Sequence, residues 1–273
     1  MKYKFVYDES LSELFFELTE EERIVVIATV VGGHNAIFTG YKPERLVKAV
    51  KKLTELRVVE PKEDVSITDF CGGGPEIKQG LVSEADGGML IMNNIDEFRS
   101  SVVQMLEPIM DSGVINLSRA GRSYTFPAHF QLIATMRACP CGCFGILDKP
   151  CLCSAQTIRI HWNRVSSVID KCGIVYRCYD DNPTSTVNIG YLRDLSQRVW
   201  NRHCNRAGNA QKDVCMTLVD LTKEARIYRD DTFGDSYPMV ERVARTIADM
   251  KGHNMTWTED LKDAKKWYNP VDM

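Results

Sequence analysis

Leu11, Leu14, Phe15 and Leu18 recur at helical spacing within a charged, mixed stretch over 1–23, which predicts a first helix there. An apolar run, Ile24-Val25-Val26-Ile27-Ala28, follows and leads to Gly32-Gly33-His34-Asn35. Ala36-Ile37-Phe38-Thr39 then reads as a short strand stopped by Gly40. Pro43 opens a helix that runs to Leu56, with Leu46, Val47, Val50 and Leu53 on one face. Strand, glycine turn and helix form the opening unit of a parallel α/β sheet.

The pattern continues in the same sense. Cys71-Gly72-Gly73-Gly74 precedes a buried strand, Gly88-Met89-Leu90-Ile91-Met92, and a helix is predicted from about Ser100 to Met110. Val114-Ile115-Asn116-Leu117 and Ser123-Tyr124-Thr125-Phe126 alternate on either side of Arg119-Ala120-Gly121-Arg122, a hairpin signal. Gln131 to Thr135 and Gly173 to Tyr176 read as further core strands. Beyond Ile189 the periodicity turns helical, near 189–206, 212–229 and 237–251. The cluster Asp180-Asp181-Asn182-Pro183 marks a boundary, giving an α/β domain over 1–183 and a helical domain or lid over 184–273.

Composition narrows the function classes. A 273-residue chain with 44% hydrophobic and 26% charged residues is ordinary globular material. The net charge of −3 argues against nucleic-acid binding driven by bulk charge, though not against a local patch. No stretch near the start has the make-up of a secretory leader, and the apolar run at Ile24 to Val31 is too short to span a bilayer. Ten cysteines without such a leader point to reduced thiols or a metal, and to the cytoplasm.

Cys139-x-Cys141 and Cys151-x-Cys153, nine residues apart, supply four soft ligands within one loop, a count that suits tetrahedral zinc. Cys143 is a spare thiol able to replace one of them or to stay free. The simpler alternative is a set of reduced, structurally incidental cysteines. Arg119, Arg122, Arg137, Lys149, Arg159, His161 and Arg164 make the centre locally basic, read first as a solvated face and second as a phosphate-backbone contact. Arg198, Arg202, His203 and Arg206 read as a solvated or subunit-facing stripe, and His34 as a turn residue.

Several stretches carry a resemblance: Gly32-Gly33-His34-Asn35, Gly72-Gly73-Gly74, Phe126 to Leu132, Cys139-Pro140-Cys141-Gly142 with Cys151-Leu152-Cys153, and Arg242 to Asp249. In these, from about Arg23 to Met250, the chain resembles the magnesium-chelatase-like AAA+ ATPases of the ComM/YifB type. The resemblance implies an AAA+ P-loop-type parallel sheet with flanking helices, followed by a helical lid. It implies an oligomer with itself or with an AAA+ relative, and the same paired cysteines, which raises structural zinc. The family's N-terminal Lon-like domain has no counterpart in the chain.

Against that frame the chemistry of ATP hydrolysis is thin. A phosphate cradle needs converging backbone N–H groups, a lysine and a Ser/Thr hydroxyl for Mg²⁺. The sequence offers Gly40-Tyr41-Lys42-Pro43-Glu44, without the second glycine or the Gly-Lys-Ser/Thr triplet. The resemblance places the metal-orienting and water-activating carboxylates at Asn93-Asn94, and an amide is no base. Asp96 and Glu97, two or three positions further, read as the start of the next helix. The resemblance places Arg137 at the polar sensor, Lys171 at the arginine finger and Asp235 at the lid arginine. The expectation is a non-hydrolysing assembly or regulatory subunit. The alternatives are a divergent ATP-binding protein or ATPase active on oligomerisation, and a DNA-associated module using the hairpin and basic loop. Whether ATP and Mg²⁺ still bind is left open by the residues.

Overall fold

A computed structural model describes residues 5–119, 121–146, 149–179, 187–207, 220–233, 238–268 and 270 of the chain. Nine strands occur among them. β1 is Ala36–Gly40, β2 Val58–Val59, β3 Gly72–Gly73, β4 Lys78–Gln79, β5 Met89–Met92, β6 Val114–Arg119, β7 Arg122–Pro127, β8 Gln131–Met136 and β9 Ile174–Cys178. Five of them form one parallel sheet in the order β2-β5-β8-β1-β9. β3 pairs with β4, and β6 with β7 in the expected hairpin. A parallel sheet with helices on both faces, followed by a helical C-terminal region, is the AAA+-like α/β architecture.

Strand alternation divides the sheet between two cores. Ala36, Phe38, Ile91, Ile133, Ile174 and Tyr176 face one side, where helices Glu20–Gly32 and Glu44–Leu53 and the C-terminal helices pack. Ile37, Leu90, Met92, Leu132, Ala134 and Val175 face the other, against helices Ser100–Ser112 and Ala155–Asn163.

The apolar run at 24–28 belongs to helix Glu20–Gly32, buried nearly all round. Thr19 and Glu22 close a reciprocal capping box at its start, and Gly33, in the left-handed region, ends it. The helix lies against both the sheet and helices Ile189–Ala207 and Pro238–Lys251, hence its lack of a polar face. The first predicted helix is correspondingly shorter, Glu9–Phe16. The helix expected near 212–229 begins later among the described residues: Leu221 bridges Thr256 and Thr222 caps helix Lys223–Thr232, while 208–219 lie outside the described residues. Helices Ala155–Asn163 and Thr258–Lys266 are not among the predicted elements. The expected boundary at 183 also lies outside the described residues.

Gly32-Gly33-His34-Asn35 is a structural latch at the N-terminal edge of the sheet. His34 is buried and bonds through Nε2 to Thr246 Oγ1 at 2.8 Å. Gln131 Nε2 donates to the carbonyls of Thr29 and His34, and Asn35 bonds to Leu132 N and the Lys171 carbonyl. A Cβ on Gly32 would stand 2.2 Å from His34 Nε2, so only glycine fits.

Burial pushes the His34 imidazole from an ordinary 6.5 down to about 3. The unfolded chain therefore takes up a proton that the folded one refuses, and stability falls as pH drops below 6.5 towards 3. The expected slope from this residue approaches about 1.4 kcal/mol per pH unit. Urea melts across that interval should show a flatter pH dependence for His34→Gln; equal slopes would rule the assignment out.

Candidate metal centre and the strand-end edge

The carboxyl ends of parallel strands are where α/β sheets bind ligands. Gly40, Asn93 and Arg137 follow or end β1, β5 and β8, so all three lie on that edge. Lys171 does not. It precedes β9 at the opposite edge, where its Nζ pairs with Asp111 at 2.8 Å. The fold thus separates Lys171 from the other positions within one chain. Asp235 lies outside the described residues.

From β1 to the next helix the chain turns tightly. Gly40 has φ +94°, and a Cβ there would meet the Cys178 carbonyl oxygen at 2.3 Å. Tyr41 N donates to that same oxygen at 3.0 Å. Lys42 is left-handed with φ 44°, and its Nζ sits 4.9 Å from the centre of the Tyr41 ring. Pro43 caps the helix and has no N–H to offer. Arg45 ties the turn to Glu22 at 3.1 Å and to the Glu17 carbonyl.

At the end of β5, Asn94 is left-handed and donates its N–H to Thr135 Oγ1 at 2.8 Å. Asp96 lies in a 3-10 turn, Ile95–Glu97, rather than in the following helix, and its side chain is fully buried. Its carboxylate receives the Arg137 backbone N–H at 3.3 Å and Nε at 2.9 Å, and Glu97 pairs with the same guanidinium at 3.2 Å. His161 is buried and bonds to the Arg137 carbonyl at 2.9 Å. Two members of the supposed basic face are therefore engaged with carboxylates or carbonyls. No sequence motif announces the Asp96–Arg137 pair, whose partners are 41 positions apart.

The loop after Arg137 carries the cysteines. Trp162 Nε1 holds its start through the Ala138 carbonyl at 3.0 Å, and Ser154 caps the helix that ends it. Cys139 Sγ lies 3.3 Å from Cys141 Sγ and 3.6 Å from Cys151 Sγ, and Cys141 Sγ is 3.6 Å from Cys151 Sγ. All four sulfurs, including that of Cys153, lie within 4.8 Å of one another. Tetrahedral Zn–S bonds of about 2.3 Å require sulfurs about 3.8 Å apart. The four cysteines could thus hold a metal ion, and an all-sulfur set suits a soft one. Cys143 stands outside the group, its thiol directed at the Cys141 carbonyl. A backbone hydrogen bond from Cys143 leads the effects that bring the Cys141 thiol down to about 6, nearer the thiolate that a metal binds. Phe144 N donates to Cys139 Sγ at 3.3 Å, steadying the sulfur from behind.

The remaining positions pack. Cys71, Cys172 and Cys178 are buried, Cys204 is exposed, and Cys215 lies outside the described residues. Arg202 bonds the carbonyls of His253 and Gly252, and His203 pairs with Asp249 at 2.9 Å, so half of the supposed stripe is internal. No described helix is long and apolar enough to cross a membrane.

A sequence model of the family described as magnesium chelatase, subunit ChlI, matches residues 44–182. The competence protein ComM of Haemophilus influenzae is 24% identical over 295 residues, which cover 89% of this chain and 57% of that protein. The uncharacterized protein YifB of Salmonella typhimurium is 36% identical over 106 residues, 39% of this chain and 21% of that protein. The uncharacterized protein Rv2897c of Mycobacterium tuberculosis is 26% identical over 165 residues, 55% of this chain and 32% of that protein. The chain spans 57% of the length of the ComM protein it matches.

Proposed function

The chain belongs to the magnesium chelatase ChlI family, and from that premise we propose that it is a non-hydrolysing AAA+-like subunit, acting in assembly or regulation of an oligomer. The observation that carries this reading is the edge after β5: Asn93-Asn94, which the family resemblance aligns with the hydrolytic carboxylates, are amides, and the buried Asp96 beside them is held by Arg137. The turn at Gly40 to Pro43 supports it, because Tyr41 N is already bonded to β9 and Pro43 has none to give. Lost general-base catalysis alone costs about 10²–10⁴-fold in rate.

Zinc on Cys139, Cys141, Cys151 and Cys153 would be structural in this reading. Four protein thiolates fill a tetrahedral shell and leave no open position for substrate. The oligomer partner is a second copy or an AAA+ relative, and Lys171, paired with Asp111 at the edge opposite Gly40, would serve a neighbouring subunit's site rather than its own.

Steady-state phosphate release from ATP with Mg²⁺, measured over a range of protein concentrations, is expected to equal the buffer blank. Asn93→Asp with Asn94→Glu should not restore it, since the turn after β1 is unchanged. Hydrolysis that rises with protein concentration and disappears in Lys42→Ala would instead support the divergent ATPase.

A further inference from the structure

Among the described residues, two buried polar atoms at the ends of β1 and β9, Thr39 Oγ1 and Arg177 Nε, have no hydrogen-bond partner. Thr39 and Arg177 are in register across the parallel pair, so their side chains leave the same face of the sheet. Thr39 is wholly buried and its Oγ1 makes no hydrogen bond; Arg177 Nε is also buried without one. Among the described residues no carboxylate pairs with this guanidinium, whose Cζ stands instead 4.9 Å from the centre of the Phe144 ring. Two glycines flank the side chain: a Cβ on Gly40 would lie 3.2 Å from Arg177 Cγ, and one on Gly145 3.4 Å from Arg177 Cδ. Native proteins rarely leave buried hydroxyls and guanidinium nitrogens unbonded unless a ligand, ion or water completes them.

We propose that Thr39 and Arg177, roofed by Phe144 and Gly145 of the cysteine loop, form a binding site for one phosphate-class oxyanion. The guanidinium offers parallel N–H donors that match two oxygens of such an ion, and the threonine hydroxyl adds a donor from the neighbouring strand. The site lies on the sheet face opposite helix Glu44–Leu53; Gly40 leaves room for the Arg177 side chain, and no group of Tyr41 to Pro43 is called on. It goes beyond the non-hydrolysing reading and stands whether or not ATP is turned over.

Calorimetric titration of the full chain with inorganic phosphate, and separately with ADP, tests it. Saturable one-site binding is expected for one or both, weakened about tenfold or more by Thr39→Val and by Arg177→Gln. Phosphate binding identifies the free ion as sufficient; binding of ADP alone, with the same loss in the variants, identifies a nucleotide's phosphoryl end. Thr39→Val, nearly isosteric and strand-compatible, carries the comparison if Arg177→Gln does not fold. No saturable binding of either probe, or equal affinity in the wild type and in Thr39→Val, overturns the proposal. Neither result bears on the hydrolysis assay, so the two readings fail separately.

Discussion

Replacing Cys139 with serine is expected to reduce the zinc content of the purified chain from about one ion to near zero. Cys139 is the buried member of the group, close to two of the other sulfurs and bonded by Phe144 N. An oxygen in its place breaks both the sulfur set and that supporting bond. Chelation of the wild type should act on stability in the same direction. An ion bound only by the folded chain at about a thousand times its dissociation constant contributes about 4 kcal/mol, and zinc sites in small domains reach about 10–16 kcal/mol. Acid should release the metal as well, because the thiols must be deprotonated to bind it. Cys143→Ser is the control: its thiol lies outside the four, and metal content should not change. Atomic absorption and thermal melts with and without chelator decide the matter. A wild-type chain that holds no zinc after growth in zinc-replete medium, or a Cys139→Ser chain that keeps its full complement, would leave the cysteines as incidental thiols.

Arg245→Ala is expected to destabilise the chain by about 3–5 kcal/mol, the usual result of stripping one partner from a buried ion pair. Arg245 and Asp249 lie one turn apart on helix Pro238–Lys251, both almost fully buried, at 2.8 Å. The guanidinium also donates to the carbonyls of His253 and Asn254, tying down the segment that follows the helix. His203 reaches the other Asp249 oxygen at 2.9 Å, which joins helix Ile189–Ala207 to the same pair. Removing the arginine leaves a buried carboxylate and two carbonyls without their cation. A urea midpoint that falls with unchanged slope is the expected signature. A loss below about 1 kcal/mol would mean that the pair is far better solvated than its burial implies.

Much of the sheet was readable because its strands are short apolar runs bounded by glycine or polar turns, as at 36–40, 89–92, 131–136 and 174–178. The cysteine loop was readable because four cysteines close in sequence also stand close in space. Helix Glu20–Gly32 was harder. A segment buried on every side loses the 3.6-residue polar stripe, and only the Thr19/Glu22 box and Gly33 mark its ends. Position along the chain also conceals which edge of the sheet a residue occupies: Lys171, read as the arginine-finger position, lies a whole strand length from Gly40. Asp96 with Arg137, and Thr39 with Arg177, arise from strands adjacent in the sheet but distant in sequence, and no spacing rule reports them.

The all-round burial of helix Glu20–Gly32 governs how this molecule can move. The helix is shared, like a common wall, by the sheet on one side and the C-terminal helices on the other. Swinging those helices away as a hinged flap would expose that wall and break the bond from His34 to Thr246. Displacing the C-terminal helices would therefore carry the cost of baring Val25 to Val31 to water.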